Sequence, residues 1–316
     1  MNLAKSIYGA QPPSACGVMA WDGVSQRAEM GEDGMSNHRI AIMTDSTSDL
    51  PAELVQRHDI HVVPLYVLWS GEQLRDGVDI DHATFYGRLP QDPAHPTTSQ
   101  PTPADFVQAI EAIEADEVVV VCISDRLSGT IASANAAKAM LSRPLHVVDS
   151  GSVSMGLGWQ ALAAARARDA GASAQEIVAA VEAVRANMHV VFTVETLEYL
   201  HKGGRIGAAA KLLGTALQLK PLLTIRPELG MIEPLERVRS RKRSLSRVVE
   251  VILEQLDTSR PLHIGIMHAV AQAEADAMAE ELRARVSPAE LVMANVTPVV
   301  GTHGGPGVIG IAAYNE

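Results

Sequence analysis

The sequence predicts an α/β fold, with a parallel sheet of βαβ units in the amino-terminal part of the chain and an α+β domain in the remainder. Up to about residue 188, short apolar runs rich in β-branched residues alternate with helical stretches. This alternation is typical of parallel strands joined by helices. Beyond about residue 190, strands and helices continue without strict alternation.

The amino-terminal elements follow one another as strand and helix. Pro51 stands in the first turn of the first helix, where its missing N–H is tolerated. Thr102, followed by Pro103, fits the N-cap of a later helix, and Asp49 is interpreted as a cap as well. In chain order, the predicted strands are RIAIMTDS, IHVVPLYVLW, EVVVVCIS and LHVVDS, and the predicted helices are DLPAELVQRH, TPADFVQAIEAIEA, TIASANAAKAML, MGLGWQALAAARARDA and SAQEIVAAVEAVRANM.

The second half begins with a strand and a short polar helix. Two further runs, on either side of RPELG, are interpreted as paired strands. The predicted strands are HVVFTVET, ALQLKPLLTI, GMIEPLERVRS, LHIGIMHA, LVMANVTPVVGTH and GVIGIAAY, and the predicted helices begin at LEYLHKGGR, KRSLSRVVEVILEQL and AQAEADAMAEELRARV. We therefore place the domains at 38–189 and 190–316. Residues 1–37, aperiodic and punctuated by Gly and Pro, are expected to form a flexible leader or to precede a start at Met35.

Composition excludes several classes of protein. The formal net charge of −11 argues against general nucleic-acid affinity, and 3% aromatic residues leave little for stacking on bases. The two cysteines, Cys16 and Cys122, form no metal-binding or disulfide pattern, so we expect a reducing cytoplasm. No signal peptide and no run of 18 apolar residues is recognisable.

One segment departs from the acidic average. Between Lys202 and Arg247 there are eleven Lys or Arg residues and three acids. A solvated basic face is one interpretation. A docking surface for an acidic partner, a phosphate or an anionic membrane is the other.

Three hydroxyl-rich turns precede helices in the first half: TDSTSDLP, HPTTSQPTP and SDRLSGT. Turns at the carboxyl ends of parallel strands share one edge of the sheet, where ligands bind. Free N–H groups at helix N-termini and added hydroxyls favour an anion there. Each turn could instead be an ordinary helix cap. At Ser128, Gly129 allows close approach of a ligand and Thr130 can cap the helix in its place.

Two catalytic alternatives are weaker. RLSGT lacks the G-x-S-x-G pattern of a hydrolase elbow, and only His303 lies in a comparably glycine-rich setting as a base for Ser128. Aspartates in 45–81 could suggest a metal, but no recognised metal-ligand spacing accompanies them. We therefore expect no metal.

The ordered combination of IAIMTDSTSDLP, TTSQPTPADF, ISDRLSGTIASA, VVDSGSVSMGLG, LEYLHKGGRIG, GTALQLKPLLTI and VVGTHGGPGVIGIAAY resembles the DegV family of bacterial fatty-acid-binding proteins. The resemblance extends from about residue 38 to residue 316. It implies a two-domain α/β protein that encloses one long-chain fatty acid between its domains. It also implies a non-catalytic subunit that presents the fatty acid carboxylate to an ATP-dependent kinase for acyl-phosphate formation in phospholipid synthesis.

The resemblance also implies a set of site residues. Thr98 and Ser128 match the hydroxyls that bind the carboxylate, and Ser99, Gly129 and Thr130 complete that lipid-binding set. His303 and Arg239 resemble basic residues near the head group, with Arg237 and Arg241 as alternatives for the arginine. Arg205, in GGRI, matches a kinase-docking position.

The partners that follow are a fatty acid, the kinase subunit and, transiently, an anionic membrane. No cofactor and no nucleic acid are expected. The alternative is a standalone phosphotransferase or acyl hydrolase that uses the same anion site, because GTHGGPG could hold a phosphate.

Overall fold

The computed structural model describes residues 38–214 and 219–316. The expected leader, residues 1–37, and residues 215–218, which include the first three residues of the predicted ALQLKPLLTI strand, lie outside the described residues. In chain order the strands are β1 (Ile40–Asp45), β2 (Ile60–Val63), β3 (Tyr66–Trp69), β4 (Glu72–Arg75), β5 (Thr97–Ser99), β6 (Glu117–Cys122), β7 (Leu145–Asp149), β8 (His189–Thr193), β9 (Leu222–Ile225), β10 (Ile232–Glu236), β11 (Leu262–His268), β12 (Glu290–Asn295) and β13 (Ile309–Asn315). The helices are α1 (Ala52–Arg57), α2 (His82–Arg88), α3 (Pro103–Glu111), α4 (Thr130–Ala137), α5 (Met155–Asp169), α6 (Ala174–Ala186), α7 (Glu198–Lys202), α8 (Arg241–Gln255), α9 (Gln272–Arg285) and α10 (Pro298–Gly304).

The first sheet is parallel, as predicted, with strand order β2-β1-β6-β7. Residues of β6 alternate between two cores, with Val118 and Val120 in one and Val119 and Val121 in the other. All four are fully buried. A parallel sheet covered on both faces requires such a continuous apolar strand.

The run IHVVPLYVLW, predicted as one strand, forms two strands in different sheets. It breaks at Pro64, between β2 in the parallel sheet and β3 in an antiparallel sheet of order β4-β3-β5. Proline has no N–H for a strand ladder, which explains the break. The sequence interpretation missed β4, α2 and β5. Because β5 contains Thr98 and Ser99, two predicted site residues lie on this small sheet, with Thr98 opposite Val67 and Ser99 opposite Tyr66.

The second sheet is mixed, with order β10-β9-β8-β13-β11-β12. Only β11 and β12 pair in parallel; the other neighbours are antiparallel. The predicted pairing around RPELG is confirmed for the described residues, with Ile225 opposite Ile232. Helices α8 and α9 pack their apolar residues on this sheet.

The stretch LVMANVTPVVGTH, predicted as one strand, ends its strand at Asn295 and continues as α10. Pro298 occupies the first turn of α10, and Thr297 before it is extended, with φ −68° and ψ 161°. Proline's fixed φ suits the first helical turn, and this outweighs the β propensity of Val299 and Val300. His303 therefore lies on a helix.

The first eight residues of α5, 155–162, are all buried, and the helix packs against strands of both sheets. Trp159 Nε1 donates a hydrogen bond to the Ala312 carbonyl on β13 at 3.1 Å. A Cβ on Gly265 of β11 would lie 2.9 Å from Met155 Cβ, so the strand and the helix touch at a glycine. One core cluster consequently includes residues of both sheets. The division expected at 189/190 remains a prediction.

Candidate ligand-binding site

A cavity lies among β5, β8–β11, α10 and the turns that follow β1, β6 and β7. Most of its wall is aliphatic, with Phe192 as its one aromatic residue among the described residues. The apolar lining residues are Leu65, Ile123, Leu127, Val153, Val190, Phe192, Leu200, Ile225, Ile232, Met267, Val296, Val299, Val300 and Val308.

Thr98 and His303 form one polar contact of the wall. Thr98 Oγ1 and His303 Nε2 are 2.8 Å apart, although 205 residues separate them in the sequence. The small sheet supplies the threonine and α10 supplies the histidine. Two predicted site residues are thus brought together by elements that the sequence interpretation missed or assigned wrongly.

His303 is a neutral imidazole at pH 7. Burial, followed by the charges of Arg205 and His95, lowers its pKa to about 4. The Nδ1 atom is shielded from solvent, has no hydrogen-bond partner among the described residues, and faces Gly203, where a Cβ would lie 2.0 Å away. A buried lone pair is better tolerated there than a buried N–H, which favours the tautomer protonated on Nε2. Nε2–H then donates to Thr98, and the threonine hydroxyl hydrogen is free for a ligand.

Ser128 lies in the turn before α4 and lines the cavity. Its Oγ is 2.9 Å from Thr130 Oγ1, which is fully buried and is not itself in the cavity wall. Thr130 is the first residue of α4 rather than its cap; the N-cap is Gly129, with no side-chain cap bond. A Cβ on Gly129 would lie 3.0 Å from the Gln100 side chain, so glycine permits that approach.

This polar end of the cavity is close to solvent. Ser99 and Gln100 continue the wall from Thr98, and both Gln100 and Gly129 are exposed. Sequence reasoning missed Gln100, although it belongs to the TSQP motif beside Thr98.

Arg205, expected at a docking surface, lines the cavity. Its Nε donates to the Leu127 carbonyl at 3.1 Å and its Nη1 to the Gly203 carbonyl at 2.8 Å. These bonds connect the Ser128 turn with the segment that packs against His303. Arg205 thereby adds a positive charge beside the hydroxyls.

The structure does not bring Arg239 to the cavity. Val238 points inward and is 4% exposed, so its neighbours Arg237 and Arg239 point outward into a surface groove. Arg241, the third alternative, is held by Glu274 and is not a cavity residue either. An arginine at the polar end is supplied instead by Arg205.

Thr47 and Ser154 form a second polar part of the wall. Thr47 lies in TDSTSDLP, a turn predicted at the ligand-binding edge, but neither residue was named as a site residue. Both hydroxyls donate to buried carboxylates: Thr47 Oγ1 to Asp45 at 2.5 Å and Ser154 Oγ to Asp49 at 2.5 Å. Burial raises the pKa of Asp45 to about 6 and that of Asp49 to about 7. The hydroxyl-rich composition of TDSTSDLP was the available sequence signal.

The cap predictions have different outcomes. Thr102 caps α3 through a full capping box with Asp105, as predicted. Asp49 is not the cap of α1, because its φ is 52° and its carboxylate accepts from Ser154 and Thr297 instead.

Among the aspartates considered for a metal, Asp79 binds Arg75 and Asp81 caps α2. Within residues 38–214 and 219–316, no group of three His, Cys, Asp or Glu residues is placed to hold a metal ion. In the same residues, no helix has the length and apolar character needed to cross a membrane.

Fold and site together define an α/β protein with a largely aliphatic cavity whose polar end carries hydroxyls and a neutral imidazole. A family model described as "Uncharacterised protein, DegV family" matches residues 39–316. A DegV domain-containing protein of Streptomyces coelicolor is 41% identical over 89% of this chain and 100% of its own. Protein DegV of Bacillus subtilis is 33% identical over 86% of this chain and 98% of its own. The chain belongs to the DegV family.

Solved structures agree with this assignment. A DegV family protein from Thermus thermophilus, described for its fatty acid binding, has a TM-score of 0.82 and 35% identity over 88% of this chain and 100% of that one. DegV from Bacillus subtilis, described as a fatty acid binding protein, has a TM-score of 0.81 and 32% identity over 88% and 100%. A stearic acid-binding protein from Eubacterium ventriosum has a TM-score of 0.80 and 26% identity over 87% and 98%.

Proposed function

We propose that this chain binds a long-chain fatty acid in the cavity, with the carboxyl group at Thr98, Ser128 and His303. We propose further that it presents that carboxyl group to a partner ATP-dependent fatty acid kinase and is not an enzyme by itself. The observation that carries the proposal is the aliphatic cavity with the Thr98–His303 pair in its wall. The fatty acid binding of the similar solved proteins supports it.

The chemistry of the two parts of the site fits a fatty acid. Each methylene buried in the aliphatic part contributes about 0.8 kcal/mol, so the chain supplies most of the affinity. Hydroxyl donors orient the carboxylate. Arg205 forms no bidentate clamp on it through Nε and Nη1, because these already donate to the Leu127 and Gly203 carbonyls, so an oxygen stays available for phosphorylation. The exposed positions of Gln100 and Gly129 beside Ser128 support access from a partner.

The first test is native mass spectrometry of the purified protein, followed by extraction and fatty-acid analysis. One fatty acid per chain is the expected result. A protein that arrives empty and takes up no long-chain acid would contradict the proposal.

Substitution of the two hydroxyls tests the orientation of the acid. We expect Thr98→Ala or Ser128→Ala to weaken binding of palmitic acid about tenfold, because each removes a hydrogen bond to a charged group. Titration calorimetry measures this. Thr97→Ala is the matched control, since Thr97 is an exposed residue of the same strand outside the cavity wall. Equal affinities for the wild type and the three variants would contradict the placement of the carboxyl group at Thr98 and Ser128.

The kinase role has a separate test. Adding ATP and a bacterial fatty acid kinase to the loaded protein is expected to give acyl phosphate, with none formed when the kinase is omitted. Exposed Arg237, Arg239, Lys242 and Arg243 form no ion pair with other described residues and offer a surface for an acidic partner or an anionic membrane. Loss of phosphorylation at high salt is expected if this surface is used.

A standalone hydrolase is the second candidate, because the Thr98 hydroxyl lies against a neutral imidazole. A catalytic base of this type normally has its second nitrogen oriented by an acceptor. His303 Nδ1 faces Gly203 instead, so we favour the carrier. Release of acid from an acyl ester without any partner would favour the hydrolase.

A further inference from the structure

We infer that Asp49 is a positioning residue: its carboxylate connects the start of α10 to the start of α5 and thereby sets where His303 stands in the cavity wall. The inference rests on the proposed function only where the affinity for a ligand is measured. It assigns a role to a residue outside the predicted site and outside the cavity wall.

The carboxylate of Asp49 bridges two distant parts of the chain. Oδ1 accepts from the Thr297 backbone N–H at 2.9 Å, and Oδ2 accepts from Ser154 Oγ at 2.5 Å. Asp49 is 3% exposed, so both bonds are shielded from water. Hydrogen bonds to a buried carboxylate are among the stronger ones in proteins.

Asp49 is itself held firmly. It ends the 3-10 turn Ser46–Ser48 with φ 52°, and the Ser154 backbone N–H donates to the Thr47 carbonyl at 2.7 Å. A left-handed aspartate is unusual and persists where surrounding contacts determine it. The bridge is therefore anchored to the end of β1.

The helix on the other side of the bridge depends on it. α10 has two turns, and Thr297, at its N-cap position, makes no side-chain cap bond of its own. Asp49 Oδ1 supplies a hydrogen-bond acceptor at that end, where backbone N–H groups have no partner within the helix. Three cavity-facing side chains, Val299, Val300 and His303, lie on this short helix. A shift of its first turn would move the imidazole relative to Thr98.

Asp49→Gly is the test variant, because glycine accepts φ 52° without strain and carries no carboxylate. Asp49→Asn is the conservative variant, since its amide oxygen can accept from Thr297 and its NH₂ can donate to Ser154. Asp105→Ala is the control: it breaks the capping box of α3, which does not line the cavity. Binding of palmitic acid and of 1-hexadecanol is measured for each protein, together with the ¹⁵N imidazole resonances of ligand-free His303.

In Asp49→Gly we expect the affinity for the acid to fall about tenfold while that for the alcohol changes less than about twofold. Shifted His303 resonances should accompany this loss. Asp49→Asn should restore the affinity for the acid and the wild-type His303 resonances. Asp105→Ala should leave the preference for acid over alcohol unchanged. An equal loss for both ligands, or unshifted His303 resonances, would overturn the inference. If the wild type binds neither ligand, the proposed function fails, and the His303 resonances alone still decide the role of Asp49.

Discussion

At the scale of residues, the buried acids next to the cavity connect protonation with folding. Asp45, Asp49 and Asp76 are each less than 5% exposed and lie close to the turn after β1. Ser46 Oγ donates to Asp76 at 2.8 Å, but the other carboxyl oxygen of Asp76 has no hydrogen-bond partner among the described residues. Burial raises the pKa of Asp76 to about 8, with the Asp49 charge as a smaller contribution.

These pKa shifts determine whether the free energy of unfolding rises or falls with pH. Asp76 holds its proton in the folded protein up to about pH 8 but loses it near pH 4 when unfolded. Unfolding therefore releases a proton between these values, and the free energy of unfolding falls as the pH rises. His303 acts in the opposite direction between about pH 4 and pH 6.5, because its pKa is lowered by burial.

We expect Asp76→Asn to reduce the loss of stability between pH 5 and pH 8 by up to a few kcal/mol, which urea denaturation at several pH values would measure. Asp79→Asn is the control. Its carboxylate binds Arg75, which lowers its pKa to about 2, so it titrates below this range. A variant of Asp76 with the pH slope of the wild type would show that this carboxyl is ionised in the folded protein.

At the scale of elements, one helix lines the cavity and another supports its wall. α10 supplies His303, and α5 packs against the turn after β1 and against both sheets. Close contact of α5 requires small residues. A Cβ on Gly158 would lie 2.9 Å from the Ser48 carbonyl oxygen, which is backbone and has little freedom to move.

Gly158→Ala tests this contact. Alanine is the better helix former by about 1 kcal/mol, yet we expect the variant to lose roughly 1–3 kcal/mol of stability because the contact is overpacked. Gly87→Ala is the matched control, since Gly87 is also helical and a Cβ there meets nothing within 4 Å. In thermal unfolding, we expect Gly158→Ala to lower the Tm and Gly87→Ala to raise it. A stabilised Gly158 variant would mean that the Ser48 turn can move aside.

At the scale of the whole molecule, the two halves of the chain share one core. Trp159 of α5 donates a hydrogen bond to β13, and Arg166 of α5 pairs with Glu290 on β12 at 2.6 Å. A helix from the first half of the chain therefore packs on the second sheet. We expect segments 38–189 and 190–316, produced separately, to lack cooperative unfolding and to regain it when mixed. Circular dichroism and size-exclusion chromatography would measure this. A cooperatively folded 38–189 segment alone would instead support two independent domains.

Much of the fold was predictable because local pattern and final structure agree. In the run EVVVVC every residue after Glu117 is apolar, and a strand covered on both faces requires such a run. Predictions were wrong where one proline outweighed its neighbours, at Pro64 and at Pro298. The strand β4 has the polar sequence EQLR, which gives no apolar signal.

The candidate site was predictable in part for the same reason. Thr98, Ser99, Ser128 and His303 stand in recognisable motifs, and the structure places all four in the cavity wall. Arg239 lies outside the cavity because residues after β10 alternate in direction. Val238 points inward, so Arg239 points outward. The role of Asp49 depends on contacts with Ser154 and Thr297, which no local pattern encodes.

The position of β13 in the second sheet has a consequence for biosynthesis. β13 lies between β8 and β11 and hydrogen-bonds to both, although it is the last of the described strands to leave the ribosome. Until it arrives, β8 and β11 have no partner on their inner edges, and the walls of the cavity that they carry are incomplete. The emerging chain therefore exposes unpaired strand edges of the kind that attract chaperones, and the cavity wall that β8 and β11 carry is held together only after β13 has paired with both.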